Sequence, residues 1–207
     1  MTIKQLNTGV LGVNTYLCIN REEKRAFVVD PGGDADYILR TLKESGASLA
    51  AILLTHCHLD HIGGVYELKE KTGAPVYIGE KDAENLHTDA NLARLMFHVE
   101  ILPVEADVKL KDGQEFAVAG IPVKCLATPG HTEGSCCYLA EKALFAGDTI
   151  FYRSAGRCDL PTGDAAALSR SVKEKIFTLP GETVIYPGHG ERTTVAAEKK
   201  YNPFFQG

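Results

Sequence analysis

The sequence has no apolar run long enough to cross a membrane, and its first ten residues lack the apolar core of a signal peptide. No cluster of lysine and arginine alternates with aromatic residues, so we expect no nucleic-acid binding. Simple repeats, low-complexity tracts and interdomain linkers are absent as well. These absences argue against membrane, secreted and nucleic-acid-binding classes, and they predict a cytoplasmic protein.

Paired cysteine motifs are also missing. The chain has six cysteines but no Cys-x-x-Cys pair, which argues against a cysteine-based zinc site. A reducing compartment would keep these cysteines as thiols. The 207 residues carry 22 basic and 27 acidic side chains and a formal charge of −5. This length suits one domain, residues 1–207, that buries a sizeable core.

Apolar runs that predict strands alternate with segments of helical spacing. The run LAAILLT, residues 49–55, predicts a strand covered on both faces, and residues 164–179 predict a helix. The dipeptide Asp112-Gly113, between the apolar segments 108–110 and 116–118, predicts a β-hairpin. The interleaving predicts an α/β or α+β class with the helices on the outside.

The stretch LLTHCHLDHIGG, residues 53–64, concentrates groups that bind metals. Three of the seven histidines, His56, His58 and His61, fall within six residues together with Asp60. This spacing is not the i, i+4 pattern of a zinc-binding helix; it predicts a turn between a strand and a helix. Imidazole and carboxylate are ligands preferred by zinc and similar divalent ions. The alternative is a polar turn in which the histidines occur by chance.

Three further candidates stand in turns of the same kind. His131 and His189 each follow a strand in a Pro-Gly-His sequence, and Asp148 ends the strand of ALFAGD. Side chains that emerge from several strands into such turns can meet at one edge of a sheet. This recurrence favours a metal site over chance.

The ordered set His56-x-His58-x-Asp60-His61, then His131, Asp148 and His189, resembles the metallo-β-lactamase superfamily over nearly the whole chain. The resemblance implies an α+β fold, a four-layer αββα sandwich with a metal site at one edge between two sheets. It also implies two divalent metal ions, zinc in the first instance, with iron or manganese as alternatives. The first ion would bind His56, His58 and His131, the second would bind Asp60, His61 and His189, and Asp148 would bridge them.

The resemblance further implies the chemistry. A hydroxide that bridges the metals would attack a carbonyl carbon, with Asp60 and Asp148 as catalytic residues. Asp148 stands where the lactamases proper often carry cysteine, which favours the glyoxalase II, or hydroxyacylglutathione hydrolase, branch. We therefore expect a small-molecule acyl thioester substrate, S-D-lactoylglutathione or a related compound. Its thiolate can leave without a strong general acid.

Within that branch the sequence is most similar to short, single-domain bacterial members. These share Gly-Arg-x-Asp-x-Pro-x-Gly-Asp, which is residues 156–164 here. We expect no carboxy-terminal helical domain of the kind that holds glutathione in full-length enzymes. The Tyr that follows the Lys of the glutathione site in those enzymes is Asp159 here, which puts glutathione specificity in question.

Three alternatives remain open at this point. The Gly-Arg-x-Asp signature is also similar to that of persulfide dioxygenases, in which one iron would bind His56 or His58, His131 and Asp148. A hydrolase of another ester, a lactone or a phosphoester is the second alternative. A metal-binding module without activity is the third, although structural zinc sites are normally closed with four ligands.

Outside the ligand set, the sequence suggests several supporting residues. Arg157 is the main candidate for substrate binding, with an ion pair to Asp159 as the alternative, and Tyr152 and Arg153 are further candidates. Asp30, in Val-Val-Asp-Pro-Gly-Gly, is predicted to orient a ligand histidine, or else only to end a strand.

The segment of residues 80–106 is harder to interpret. Its NLARLMFH sequence, residues 91–98, predicts a short helix in an insertion. The segment would either cover the cleft as a lid or place His87 and His98 on the surface.

Overall fold

The first part of the chain forms a mixed six-stranded sheet. The computed structural model describes residues 1–87 and 101–206. The strands lie in the order of the sequence: β1 (Thr2–Thr8), β2 (Val13–Asn20), β3 (Arg25–Val29), β4 (Ser48–Leu54), β5 (Val76–Gly79) and β6 (Val108–Leu110). The first three pair antiparallel and β3 to β6 pair parallel. The helices of this part are α1 (Ala35–Glu44), α2 (Leu59–Ile62) and α3 (Val65–Thr72).

A second six-stranded sheet follows. Its spatial order is β14-β13-β10-β9-β8-β7, with the bounds β7 (Glu115–Val118), β8 (Ile121–Ala127), β9 (Cys136–Ala140), β10 (Ala143–Gly147), β13 (Val184–Pro187) and β14 (Thr193–Thr194). A separate two-stranded hairpin comprises β11 (Ile150–Phe151) and β12 (Ser154–Ala155). The helices are α4 (Ala165–Ser171), continued by a π-helical turn at Val172–Ile176, and α5 (Val195–Tyr201).

The side chains of each sheet alternate between two cores, as the period of a strand requires. Leu17 and Ile52 face a core shared with α1 and α3, whereas Tyr16 and Leu53 face a core between the two sheets. In the second sheet Cys136 faces the core between the sheets, and its neighbour Cys137 faces the core under α4 and α5. The layers are therefore helices, sheet, sheet and helices, and the predicted αββα sandwich is confirmed.

The hairpin predicted at Asp112-Gly113 is wrong. β6 belongs to the first sheet and β7 to the second, so the turn between them crosses from one sheet to the other. The turn is stabilised by bonds to the second sheet, since Gly113 N donates to Cys125 O and Asp112 Oδ1 accepts from Ala127 N. The turn signal was correct, but the pairing of its flanking strands depended on distant partners.

Other local predictions hold, with differences at the ends of elements. The predicted helix over residues 164–179 is present, and Asp164 caps it by accepting a bond from Ala167 N. The predicted segment of residues 91–98 lies outside the described residues. Within the described part of the chain, no helix is long and apolar enough to cross a membrane.

Candidate metal centre

The predicted ligands meet at one edge, where turns from both sheets come together. The turn after β4 and the short helix α2 carry His56, His58, Asp60 and His61. The remaining three, His131, Asp148 and His189, follow strands β8, β10 and β13 of the second sheet. Their side chains form overlapping groups whose ligand atoms lie within 4.8 Å of one another: His56, His58 and His131; His56, His61 and Asp148; and Asp60, His61 and His189.

We call His56, His58 and His131 the first triad. Its rings are close, with centroids 4.8 Å apart for His56 and His58, and 4.7 Å apart for His56 and His131. His58 Nδ1 lies 2.8 Å from His131 Nε2. His56 Nε2 is buried and has no hydrogen-bond partner among the residues that the structure describes. Since a buried polar atom without a partner is costly, this geometry fits a cation held between the rings.

Oxygen atoms around the triad determine which ring nitrogens are available. His131 Nδ1 lies 2.7 Å from the carbonyl oxygen of Arg157, which can only accept, so Nδ1 must carry the hydrogen. Thr55 Oγ1 donates to Asp30 Oδ2 and lies 3.0 Å from His56 Nδ1, so it accepts from that ring. In both histidines the Nε2 lone pair is thereby directed to the centre of the site, as metal ligation requires.

We call Asp60, His61 and His189 the second triad. His189 Nε2 lies 3.1 Å from Asp60 Oδ2, and His61 Nε2 lies 3.6 Å from the same oxygen. His61 is completely buried, whereas about a third of the His189 side chain is exposed. The centre is therefore open to solvent at His189.

Asp148 lies between the two triads. Its Oδ1 is 3.4 Å from His61 Nε2 of the second triad, and its Oδ2 is 3.6 Å from His131 Nε2 of the first. Such a carboxylate can offer one oxygen to each of two cations. The close packing around it requires glycine: a Cβ at Gly188 would lie 2.3 Å from Asp148 Oδ1, and a Cβ at Gly156 would lie 1.7 Å from the Asp148 carbonyl oxygen.

The two triads differ in their protonation. Burial and the neighbouring histidines lower the pKa of His56 well below its ordinary value, and burial with His131 lowers the pKa of His58 to about 4. Burial would also lower the pKa of His61, but the carboxylates of Asp148 and Asp30 outweigh it and raise that pKa. The hydrogen bond to Asp60 raises the pKa of His189. Without metal, His56 and His58 are therefore uncharged, whereas the carboxylates favour protonated His61 and His189.

The two carboxyl groups of the centre are held ionised. Burial alone would raise the pKa of Asp148, but His61 and His131 lower it below the ordinary value. For Asp60, the hydrogen bond from His189 likewise outweighs burial and holds the pKa low. The centre thus offers imidazole nitrogens and ionised carboxylates, a donor set that suits zinc, iron or manganese.

Asp30 contacts a predicted ligand, as its suggested role requires. Its Oδ2 lies 3.0 Å from His61 Nδ1, and its carboxylate also accepts bonds from Thr55 N at 2.8 Å and Thr55 Oγ1 at 2.7 Å. The residue is buried and has a φ of 49°, a left-handed backbone that aspartate tolerates better than most residues. The sequence reasoning did not include Thr55, which connects Asp30 to His56.

The suggested substrate residues are exposed at the surface. Arg157 forms two 2.8 Å bonds to Asp159, and both side chains are more than 60% exposed. The Arg153 guanidinium lies 5.3 Å from the ring centre of Tyr152 and 5.5 Å from that of Tyr201. The ion pair suggested for Arg157 is thus present, and substrate binding by these residues remains a prediction. What the sequence did not indicate is the backbone carbonyl of Arg157, which orients His131.

The segment of residues 80–106 is described at its two ends. His87 is exposed and lies 2.9 Å from Glu105 Oε1, which agrees with the surface alternative for this histidine. His98 lies outside the described residues.

Comparison with known proteins agrees with this fold. The family model of the metallo-β-lactamase superfamily matches residues 8–189. The probable metallo-hydrolase YqgX of Bacillus subtilis is 35% identical over 100% of this chain and 99% of its own length. The hydroxyacylglutathione hydrolase GloC of Haemophilus influenzae is 34% identical over 88% of each chain.

Several solved structures are similar to this chain in fold and in sequence. The BLEG-1 B3 metallo-β-lactamase has a TM-score of 0.93 and 36% identity, with both chains covered completely. The di-iron-bound form of TTHA1623 has a TM-score of 0.87 and 34% identity, covering 97% of this chain and 99% of its own. ETHE1 from Myxococcus xanthus has a TM-score of 0.84 and 32% identity, covering 98% and 84%.

The sandwich and its edge of histidines and aspartates define a metal-dependent hydrolase. The chain belongs to the metallo-β-lactamase superfamily. Divalent metal binding is a property of this fold, and the di-iron form of TTHA1623 shows that zinc is not the only metal found among its members.

Proposed function

We propose that this protein is a binuclear hydrolase of acyl thioesters, with S-D-lactoylglutathione or a close relative as its substrate. The observation that carries the proposal is the complete second triad beside the first, with Asp148 between them. Both triads present ligand atoms, and the exposed side of His189 opens the centre to solvent. The similarity to the hydroxyacylglutathione hydrolase GloC supports the choice of substrate.

In this proposal His56, His58 and His131 would hold one divalent cation, Asp60, His61 and His189 would hold the second, and Asp148, between the triads, would offer an oxygen to each. The cations, when bound, supply a water nucleophile near neutral pH and offset negative charge on the substrate oxygen. The residues of the chain fix the geometry: the Arg157 carbonyl, Thr55 and Asp30 each hold one ligand ring by its Nδ1. Asp60 and Asp148, held ionised, orient the nucleophile.

The protonation of the site favours a thioester over an amide. Asp60 and Asp148 are ionised, and the histidine nitrogens are committed as ligands, so these residues offer no proton to a leaving group. A thiolate leaves without such a proton because thiols are acidic, with a pKa near 8.5, whereas an amide nitrogen needs one. A β-lactam is an amide, so β-lactam hydrolysis, which the likeness to BLEG-1 suggests, is a control activity to test and not the main proposal.

A second candidate is an iron-dependent persulfide dioxygenase. The likeness to ETHE1 and the Gly156-Arg157 signature favour it. That reaction needs one iron, held by His56 or His58 with His131 and Asp148, and leaves the second triad without a role.

The test is thiol release from S-D-lactoylglutathione by zinc-reconstituted protein. We expect a kcat/KM of at least roughly 10⁴ M⁻¹s⁻¹, within the ordinary range of enzymes. Parallel reactions use iron-loaded protein with glutathione persulfide, followed by oxygen uptake, and a chromogenic β-lactam. Thiol release below this range, together with rapid oxygen uptake, would replace the proposal by the second candidate.

A further inference from the structure

Asp82 is a buried carboxylate that the site described so far does not include. It follows β5 in the first sheet and is 0% exposed. The donors around it include Cys57 N at 3.0 Å and Thr132 Oγ1 at 2.7 Å from Oδ2, and Gly134 N at 2.9 Å from Oδ1. A carboxyl group buried in a protein requires hydrogen bonds of this kind.

The donors belong to the two loops that carry the first triad. Cys57 lies between His56 and His58, and Thr132 directly follows His131. These loops come from different sheets, and Asp82 bonds to both. The approach is close: a Cβ at Gly134 would lie 2.3 Å from Asp82 Oδ1.

The second triad is held by other groups. Asp30 lies 3.0 Å from His61, and Asp60 lies 3.1 Å from His189. On the backbone next to His189, Asn14 Nδ2 donates to Pro187 O and Gly190 O. None of these bonds involves Asp82. Asp60 and His61 follow His58 in the same turn, but His189 and Asp30 hold them separately, so a change at Asp82 should act mainly on the first triad.

We propose that Asp82 is a positioning residue for the first triad: its carboxylate fixes the loop of His56 and His58 relative to the loop of His131. This inference rests on the metal centre of the proposed function, but not on its substrate. Asp82 would set the metal affinity of the first triad in the way that outer hydrogen bonds set ligand geometry elsewhere, where their loss costs about 10- to 100-fold in affinity.

A merely structural role would show itself as general destabilisation, and the chain offers a matched control. Glu198 is also 0% exposed, and its carboxylate accepts from Thr193 Oγ1 at 2.6 Å, Arg153 N at 2.9 Å and Asn202 Nδ2 at 2.8 Å. It connects α5 to the β11–β12 hairpin instead of joining the ligand loops. Asp82→Asn and Glu198→Gln both replace a carboxylate by an amide of the same shape, which places an NH₂ group against existing donors.

The experiment measures zinc affinity of the metal-depleted full chain by competition with a chromophoric chelator. Each variant is made in two backgrounds: His189→Ala, which leaves the first triad intact, and His58→Ala, which leaves the second intact. We expect Asp82→Asn to weaken zinc binding about 10-fold in the first background and less than about twofold in the second. Glu198→Gln should change neither affinity, even where it lowers Tm. With Co²⁺ in place of zinc, the ligand-field absorption of the first triad should shift in Asp82→Asn only.

Unchanged affinities in Asp82→Asn, or equal losses in both backgrounds, would overturn the inference. If Asp82→Asn does not fold, Thr132→Val removes the hydroxyl donor to Asp82, together with the contact of that hydroxyl to Ser135 Oγ, and keeps the carboxylate. A loss confined to the His189→Ala background supports the inference, and an absent or unselective loss rejects it. Failure of the parent backgrounds to bind zinc would reject the metal centre, and the proposed function with it. Normal zinc binding without thioester hydrolysis would reject only the substrate.

Discussion

The two triads lie side by side at one edge of the molecule and prepare their ligands in opposite ways. The first consists of three histidines, and burial keeps His56 and His58 uncharged by lowering their pKa values. In the second, carboxylates next to His61 and His189 raise the pKa values of those rings. A cation that binds His56 and His58 meets uncharged rings, whereas a cation that binds His61 and His189 must displace protons.

The two triads share one carboxylate, that of Asp148. Asp148 raises the pKa of His61 and lies 3.6 Å from His131 of the other triad. The first triad contains no carboxylate of its own, so Asp148 is the acidic group that it shares with the second triad. Differences between the triads should therefore appear in metal affinity and in pH dependence.

The largest effect is expected for Asp148→Ala. Because both triads lose a contact, thiol release from S-D-lactoylglutathione should fall by at least about 1000-fold, and bound metal should fall below two ions per chain. Steady-state kinetics and elemental analysis measure the two quantities. Full activity with one ion bound would mean that the triads do not act together.

The triads can be separated by single substitutions. His58→Ala should leave one metal in the second triad and His189→Ala one metal in the first, and each should lower hydrolysis by roughly 100-fold because two cations share the charge. Elemental analysis with kinetics tests this. Iron-dependent oxygen uptake that persists in His189→Ala but not in His58→Ala would favour the dioxygenase.

The pH at which each metal is lost should differ. A histidine binds metal only when neutral, so protons compete as pH falls through its metal-free pKa. Since the pKa is raised for His61 and His189 and is about 4 for His58, the second triad should lose metal at the higher pH. Metal retained after equilibrium dialysis between pH 8 and pH 5, in the His58→Ala and His189→Ala backgrounds, measures this order. The reverse order would contradict the assignment of protonation states.

The smallest effect is expected for the exposed ion pair of Arg157 and Asp159. Arg157 is paired with Asp159, whose pKa this pair lowers to about 2. Asp159→Asn should free the guanidinium for an anionic substrate and lower KM for S-D-lactoylglutathione a few-fold, with Tm unchanged because exposed ion pairs add little stability. An uncharged thioester serves as the control, and its KM should not change. Equal changes for both substrates would argue against a role of Arg157 in binding the anion.

Much of the centre could be predicted because its signals are local. His56, His58, Asp60 and His61 are adjacent in sequence, and His131, Asp148 and His189 each follow an apolar strand. Strand β1, by contrast, was not predicted, because most of its residues are polar and only Leu6 and Thr8 are buried. The hairpin at Asp112-Gly113 failed because a turn motif does not specify which strands pair.

The sequence by itself determined the candidate ligands, their order and an α/β or α+β class with helices on the outside, since these depend on residue chemistry and on the hydrophobic period of each segment. The αββα sandwich was expected from the resemblance to the superfamily. Only the tertiary structure decided which atoms support the ligands. Asp82 meets Cys57 and Thr132, and the Arg157 carbonyl meets His131, across distances of 25 residues or more in the chain. Such hydrogen bonds carry no sequence signature, because any buried carboxylate or carbonyl can accept them and only the packing of the two sheets brings the donors within reach.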